Sequence, residues 1–361
     1  MVATHREKAE KISLINNSTN GHTSQKVYMN TEERIQPFVK LFEYLTTLPE
    51  AEFQSLALNV ANENPWFTEV NVRSAVAGIT NFIAAQTLTE WIKPYRFQET
   101  PKTVALVLAG NIPLVGFHDF LAVLIAGHHA QLKLSSKDSV LMKFVIEKLI
   151  EFEPRLKSKI EITERLHDFN AVIATGSDNS SRYFEYYFGK YPHVIRKNRT
   201  SVAVLTGDET KEELNALGND VFNYFGLGCR SVSKLFVPQG YKFDPLFESW
   251  ESFKNVIHHH KYCNNYDYQK SLLLINRVPF LDNGFVMIQE SDRIVSPISV
   301  VFYEYYQNAQ QLKSRLDALA DKIQVIVGMD EPATVPLGKS QQPRVCDYAD
   351  NIDTLAFLNS F

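Results

Sequence analysis

From Pro101 onward the sequence alternates short apolar runs with amphipathic helical patterns, and this alternation limits the fold more than any other feature. Val104–Ala109 reads as a buried strand, Phe117–Ile125 as a helix and Ala130–Leu134 as a strand. Val140–Glu151 is the next helical pattern and Ala171–Thr175 a further strand. Arg182–Phe188 and Glu209–Phe225 read as helices, Ser201–Leu205 and Lys234–Val237 as strands. Beyond Pro245 the alternation continues through Ser271–Ile275 as a strand, Phe285–Ile288, Val300–Tyr303, Ala309–Leu319 and Ile323–Val327. Strands separated by helices need crossover connections, so the expected architecture is α/β with a largely parallel sheet covered on both faces.

The flanks are different. Residues 1–28 are polar, with Asn16-Asn17-Ser18-Thr19-Asn20-Gly21 in their middle, and read as a disordered tail. Asn30 and Glu33 then stand in the N-cap and N3 relation of a capping box. Helical spacing follows through Ile35, Phe38, Leu41 and Leu45, again from Pro49 to Val60, and again from Val70 to Trp91. After Met329 the chain is rich in turn formers. The 24 Phe and 16 Tyr need a core, which excludes disorder throughout. A net charge of −4 recommends neither nucleic acid nor an anionic membrane as partner. The longest apolar run, Phe120 to Gly127, is far short of the ~20 residues of a membrane span. No apolar signal segment opens the chain, and three cysteines are too few for a disulfide framework, so a cytoplasmic location is expected.

Cys229 follows Gly226-Leu227-Gly228, between a helical pattern and a strand. Two glycines allow a tight turn and close approach of a ligand. A thiolate there is a competent nucleophile, with Arg230 or local amides expected to lower its pKa; the bland reading is a buried structural cysteine. Cys263 and Cys346 lack this setting. Asn111, in Ala109-Gly110-Asn111-Ile112-Pro113, follows the first strand, where a side-chain amide either donates to an oxyanion or simply satisfies a turn. Lys133 closes the second strand ahead of Ser135 and Ser136, and faces either a phosphate or solvent. Ala174-Thr175-Gly176-Ser177 leads from a strand into a helix, a setting that suits pyrophosphate. His258-His259-His260 diverge in direction and read as a helix end rather than a metal site. The sequence has no GxSxG elbow for a serine hydrolase.

Together these segments resemble the aldehyde dehydrogenase superfamily, and within it the LuxC-type acyl-CoA reductases that make fatty aldehydes. Gly226-Leu227-Gly228-Cys229, followed by Ser233-Lys234-Leu235-Phe236-Val237, is similar to the family's Gly-Gln-x-Cys-x-x-x-Ser-Arg-x-x-Val segment. Asn111-Ile112-Pro113 is similar to its Trp-Asn-x-Pro turn. Gly127 to Ser136 is similar to its Gly-Asn-x-x-Val-Leu-Lys-Pro-Ser-Glu strand, and Ala174 to Ser177 to its Phe-Thr-Gly-Ser turn. The resemblance covers most of residues 100–345.

It implies two interleaved α/β domains with a helical N-terminal preface. Residues 29–198 would hold the preface and the NADP(H)-binding domain, 199–330 the catalytic domain, and 331–361 a segment packing back on the core. Cys229 is implied as nucleophile and Asn111 as oxyanion donor, with Lys133, Ser135, Ser136, Gly176 and Ser177 at the nucleotide. The family's Glu-Leu-Gly-Gly segment, whose Glu activates hydrolytic water, falls at Arg196-Lys197-Asn198-Arg199, which has no carboxylate. That fits an acyl-CoA or acyl-carrier substrate rather than aldehyde oxidation. Ser136 replaces the Glu that binds the ribose hydroxyls, which favours NADP(H). Arg293-Ile294-Val295-Ser296 stands where a second ribose Glu is expected, and Ser181 replaces the Gly that closes the phosphate turn. A homo-oligomer is compatible with the resemblance. The rival readings are an ordinary NAD(P)-dependent aldehyde dehydrogenase and a non-catalytic acyl- or nucleotide-binding scaffold.

Overall fold

The computed structural model describes residues 29–361 apart from Glu99 and Ser177. The tail expected over 1–28, and Ser177 of the pyrophosphate turn, lie outside the described residues. Four helices come first: α1 (Thr31–Thr46), α2 (Glu50–Glu63), α3 (Glu69–Ile83) and α4 (Ala85–Ile92). The capping box is formed: Glu33 N–H donates to Asn30 Oδ1 at 2.9 Å, and Asn30 N–H to Glu33 Oε2 at 2.8 Å. The single helix expected from Val70 to Trp91 is two. Ala84 takes φ −60°, ψ 136°, an extended geometry that breaks the ladder, and Ile83 and Leu88 are both fully buried on either side of it.

A five-stranded, wholly parallel sheet follows, built from β1 (Thr103–Val107), β2 (His129–Lys133), β3 (Ile160–Ile162), β4 (Ala171–Thr175) and β5 (His193–Arg196). Its order is β3-β2-β1-β4-β5. The crossovers carry α5 (Phe117–Ile125), α6 (Ser139–Phe152) and α7 (Asp178–Phe188). Helix α5 is apolar all round because it lies between the preface and the sheet, with Phe117, Phe120 and Leu121 excluded from solvent. The strand order reverses at β1 and β4, so their carboxyl ends open a crevice there.

The second sheet contains β6 (Thr200–Val204), β7 (Val232–Pro238), β8 (Leu281–Asp282), β9 (Met287–Glu290), β10 (Val300–Tyr306) and β11 (Ile323–Val327), in the order β11-β6-β7-β10-β9-β8. Only β8 runs antiparallel to its neighbour. Its helices are α8 (Lys211–Phe222), α9 (Asp244–Trp250), α10 (His260–Ile275) and α11 (Ala309–Asp317). Ser271–Ile275, read as a strand, is the end of α10. Leu273 is buried there, whereas Leu274 and Ile275 stay exposed, so the apolar run does not mark a sheet. The last helix, α12 (Thr354–Leu358), returns to the first core: Leu355 and Leu358 are fully buried in it, and His128 Nε2 lies 2.8 Å from the Leu358 carbonyl. No helix among the described residues is long and apolar enough to cross a membrane.

Candidate active site

The cysteine turn owes its shape to three consecutive residues in the left-handed region: Tyr224 (φ 53°), Phe225 (φ 57°) and Gly226 (φ 75°). They end the helix at Phe222, three residues before the Phe225 expected from its periodicity. Non-glycine residues hold such angles only where surroundings enforce them, at about 1–3 kcal/mol each. Here the Phe225 ring is enclosed by Trp66, His259 and Tyr262, with centroids 5.3, 4.4 and 6.1 Å away. His259 also stacks on Trp66 and sets Nε2 2.9 Å from the Pro65 carbonyl, so this member of the histidine triplet packs the turn.

Beyond Gly226 the turn is clamped from four directions. Gly228 N–H donates to Ser231 Oγ at 3.2 Å, and Gln341 Nε2 donates to the same hydroxyl at 3.1 Å. Ser201 Oγ donates to the Cys229 carbonyl at 3.0 Å. Arg230 reaches the Asp347 carbonyl at 3.0 Å. Asn111 Nδ2 donates to the Leu227 carbonyl at 2.7 Å, so the end of β1 and the cysteine turn meet directly. An amide carries two N–H groups, and Leu227 takes one of them.

Burial pushes the Cys229 thiol above its ordinary pKa. Arg230 and Arg196 oppose the rise, and the charge of Asp350 adds to it. The lowering expected from Arg230 is therefore present but outweighed by desolvation, and the net direction is upward. Asp350 itself lies at φ 58°, with Oδ1 3.3 Å from Arg199 Nε and its backbone amide on Gln324 Oε1 at 3.1 Å. The segment Arg196-Lys197-Asn198-Arg199 has no carboxylate of its own, yet one from the chain's distant end rests against it. Arg196 is buried against Asp119 and donates to Thr354 Oγ1 at 3.0 Å. Sequence reasoning missed Asp350, Gln341 and Asp347. The one local signal was the Asp350-Asn351 pair, residue types that tolerate left-handed backbone.

Lys133 is exposed at the end of β2 and donates to the Glu164 carbonyl at 3.2 Å. Ser135 Oγ accepts from the Lys137 amide at 3.2 Å, and Ser136 is exposed. A Cβ on Gly110 would collide with Ser135, so glycine lets these two strand-end loops touch. Gly176 plays the same part in its turn, where a Cβ would meet the Phe184 ring of α7 at 2.7 Å. An exposed cation, two hydroxyls and glycine turns at the carboxyl ends of parallel strands fit a phosphorylated dinucleotide. Behind the cysteine turn a cavity of about 290 Å³ is walled by Phe222, Phe225, Leu227, Tyr262, Val286 and Val301. Ser296 and Pro297, from the region where the second ribose Glu was expected, also line it.

Residues 85–246 match the acyl-CoA reductase (LuxC) family. No curated protein matches the chain by sequence. Among solved structures it is similar to an aldehyde dehydrogenase from Burkholderia cenocepacia, with TM-score 0.61, 13% identity, and 84% of this chain and 76% of that one covered. The P. syringae indole-3-acetaldehyde dehydrogenase AldA, solved with NAD+, has TM-score 0.63, 13% identity and coverages of 83% and 72%. Aldehyde dehydrogenase 21 from Physcomitrella patens has TM-score 0.59, 14% identity and coverages of 92% and 89%. The fold is aldehyde dehydrogenase-like, and the chain is similar to LuxC-type members of that superfamily. These similarities support an enzyme of the acyl-CoA reductase type.

Proposed function

We propose that this protein reduces a fatty acyl-CoA to the fatty aldehyde through a thioester on Cys229, with NADPH as reductant. The observation that carries the reading is the Asn111–Leu227 hydrogen bond, which unites the oxyanion candidate with the cysteine turn. We assign residues 29–198 to the preface and nucleotide domain, 199–330 to the catalytic domain and 331–361 to a segment that closes over both. The free cysteines suit a reducing compartment, and we assign the enzyme to the cytoplasm.

In this mechanism the Cys229 thiol gives its proton to solvent, which returns one to the departing coenzyme A thiolate, and the Cys229 thiolate attacks the acyl carbonyl. The second Asn111 N–H and the Cys229 backbone amide stabilise the tetrahedral oxyanion, which collapses to release coenzyme A as its thiol. NADPH, when bound, supplies hydride to the thioester carbonyl. The resulting thiohemiacetal alkoxide collapses to the aldehyde and expels the Cys229 thiolate, which takes a proton from solvent. Lys133, Ser135 and Ser136 hold the adenosine end, and Gly176 leaves the phosphate turn its close approach. The acyl chain occupies the cavity behind the cysteine turn.

The aldehyde dehydrogenase reading needs a carboxylate free to activate water at Cys229. Asp350 is the carboxylate whose charge reaches the thiol, but Arg199 and the Lys197 backbone amide engage it. Radiolabelled acyl-CoA added without nucleotide separates the readings. The reductase retains a hydroxylamine-sensitive adduct, an aldehyde dehydrogenase hydrolyses it, and a non-catalytic scaffold forms none.

A further inference from the structure

Asp138 stands at the N-cap position of α6, where an aspartate ordinarily accepts from the amides of its own helix. It makes no such bond. Glu63, the last residue of α2, caps α6 from outside: Oε2 accepts from the Ser139 and Val140 amides at 2.9 and 3.1 Å, and Oε1 from the Ser139 hydroxyl at 2.5 Å. Its neighbour Asn64 donates Nδ2 to the Lys137 carbonyl at 3.2 Å.

With its helix capped by another element, the Asp138 carboxylate is spent elsewhere. Its Oδ2 accepts the Leu114 N–H at 2.8 Å, in a setting that leaves the residue 2% exposed. Leu114 lies three residues beyond Asn111 and holds φ 57°, so the turn carrying Asn111 contains a strained residue pinned by this one carboxylate. Gly110, at the other end of the same turn, lies so close to Ser135 that an added Cβ would collide with it. A continuous path results: nucleotide loop, Asp138, Leu114, Asn111, the Leu227 carbonyl, the cysteine turn.

We infer that Asp138 is a positioning residue for the acylation step, tying the loop of Lys133, Ser135 and Ser136 to the turn that aims Asn111 at the reacting carbonyl. The inference rests on the proposed roles of Asn111 and Cys229. Burial pushes the Asp138 carboxyl well above its usual range; the Leu114 N–H pulls against this and the charge of Glu63 adds to it. Asparagine is then a close substitute, because its carbonyl can still accept from Leu114.

The test compares Asp138→Asn and Asp138→Ala, alone and combined with Asn111→Ala, in single-turnover acylation by labelled acyl-CoA. Misaimed groups cost up to about 100-fold in rate. Asp138→Ala should lose at least about tenfold in acylation with KM little changed, and Asp138→Asn should recover most of it. On the Asn111→Ala background Asp138→Ala should add almost nothing, since it acts through Asn111. A wild-type rate for Asp138→Ala, an equal loss for Asp138→Asn, or full multiplication of the two losses would overturn the inference. Hydrogen exchange at the Leu114 amide reads the tether without any chemistry. It should be slow in wild type and Asp138→Asn and fast in Asp138→Ala; equal protection in all three refutes the tether. A wild type that forms no acyl adduct refutes the reductase reading instead, and the exchange result still decides the tether. Should Asp138→Ala not fold, Asp138→Ser, with its shorter acceptor, takes its place.

Discussion

The turn that carries Cys229 and the loop that carries Lys133, the two halves of the proposed site, are built in opposite ways. The cysteine turn is clamped by Ser201, Asn111, Gln341 and the Asp347 carbonyl, from three separate stretches of chain, and its strained residues are wedged in an aromatic cluster. The Lys133 loop presents its cation and Ser136 to solvent, with one hydrogen bond from the ammonium to a carbonyl. A nucleophile must meet a carbonyl along one line, so its frame is fixed before substrate arrives. A reductant that enters and leaves each turnover is better met by side chains that can give way. On the proposed roles, rigidity follows the chemistry and exposure follows exchange.

The severest challenge to this contrast is Cys229→Ala. It should eliminate both the acyl adduct and aldehyde formation, whereas Cys263→Ala and Cys346→Ala should leave both nearly intact; mass spectrometry of the acylated protein locates the adduct. Next is Asn111→Ala, which should slow acylation by ~100–1,000-fold, the usual cost of one oxyanion donor, without altering nucleotide affinity. A loss of nucleotide binding instead would mean that the two regions are not separable.

On the exposed side the effects should be smaller. Fluorescence titration should show tighter binding of NADPH than NADH, and Lys133→Ala should remove about tenfold of that preference, equivalent to ~1.4 kcal/mol. Ser136→Glu should shift the choice toward NADH by repelling the 2′-phosphate. The smallest effect concerns Asp350. Its negative charge disfavours the Cys229 thiolate, so Asp350→Asn should move the pH midpoint of iodoacetamide alkylation downward and speed alkylation modestly at neutral pH. An upward move would mean that Arg199, released from its partner, has lost its hold on the local structure.

Much of the fold and of the candidate site was legible where the signals are local. Strand β4 and helix α5 coincide with apolar runs bounded by turn formers, and Cys229 and Asn111 sit where glycine and proline mark the chain's reversals. What stayed hidden depends on partners far away in sequence. Asp350 and Gln341 lie more than a hundred residues from Cys229, in a stretch with no periodicity to align. Asp138 carries no signal of its own ahead of the helical pattern Val140–Glu151, and only the capping by Glu63 shows that its carboxyl is used for Leu114. Ser271–Ile275 misled because five apolar-rich residues look alike at the end of a helix and within a strand. The sign of the Cys229 shift was hidden too, since Arg230 is visible in sequence and desolvation is not.

Helix α12 has a consequence for how the chain is made. Leu355 and Leu358 belong to the core of the first sheet, and Thr354 completes the polar shell of the Arg196–Asp119 pair, yet all three follow the whole second sheet in chain order. Domains emerging from the ribosome ordinarily fold in sequence, N-terminal unit first. This one cannot finish until residue 358 has been synthesised. Until then the first core lacks the helix that packs on α5 and the hydroxyl that meets Arg196, so it is completed only after the second sheet has been made.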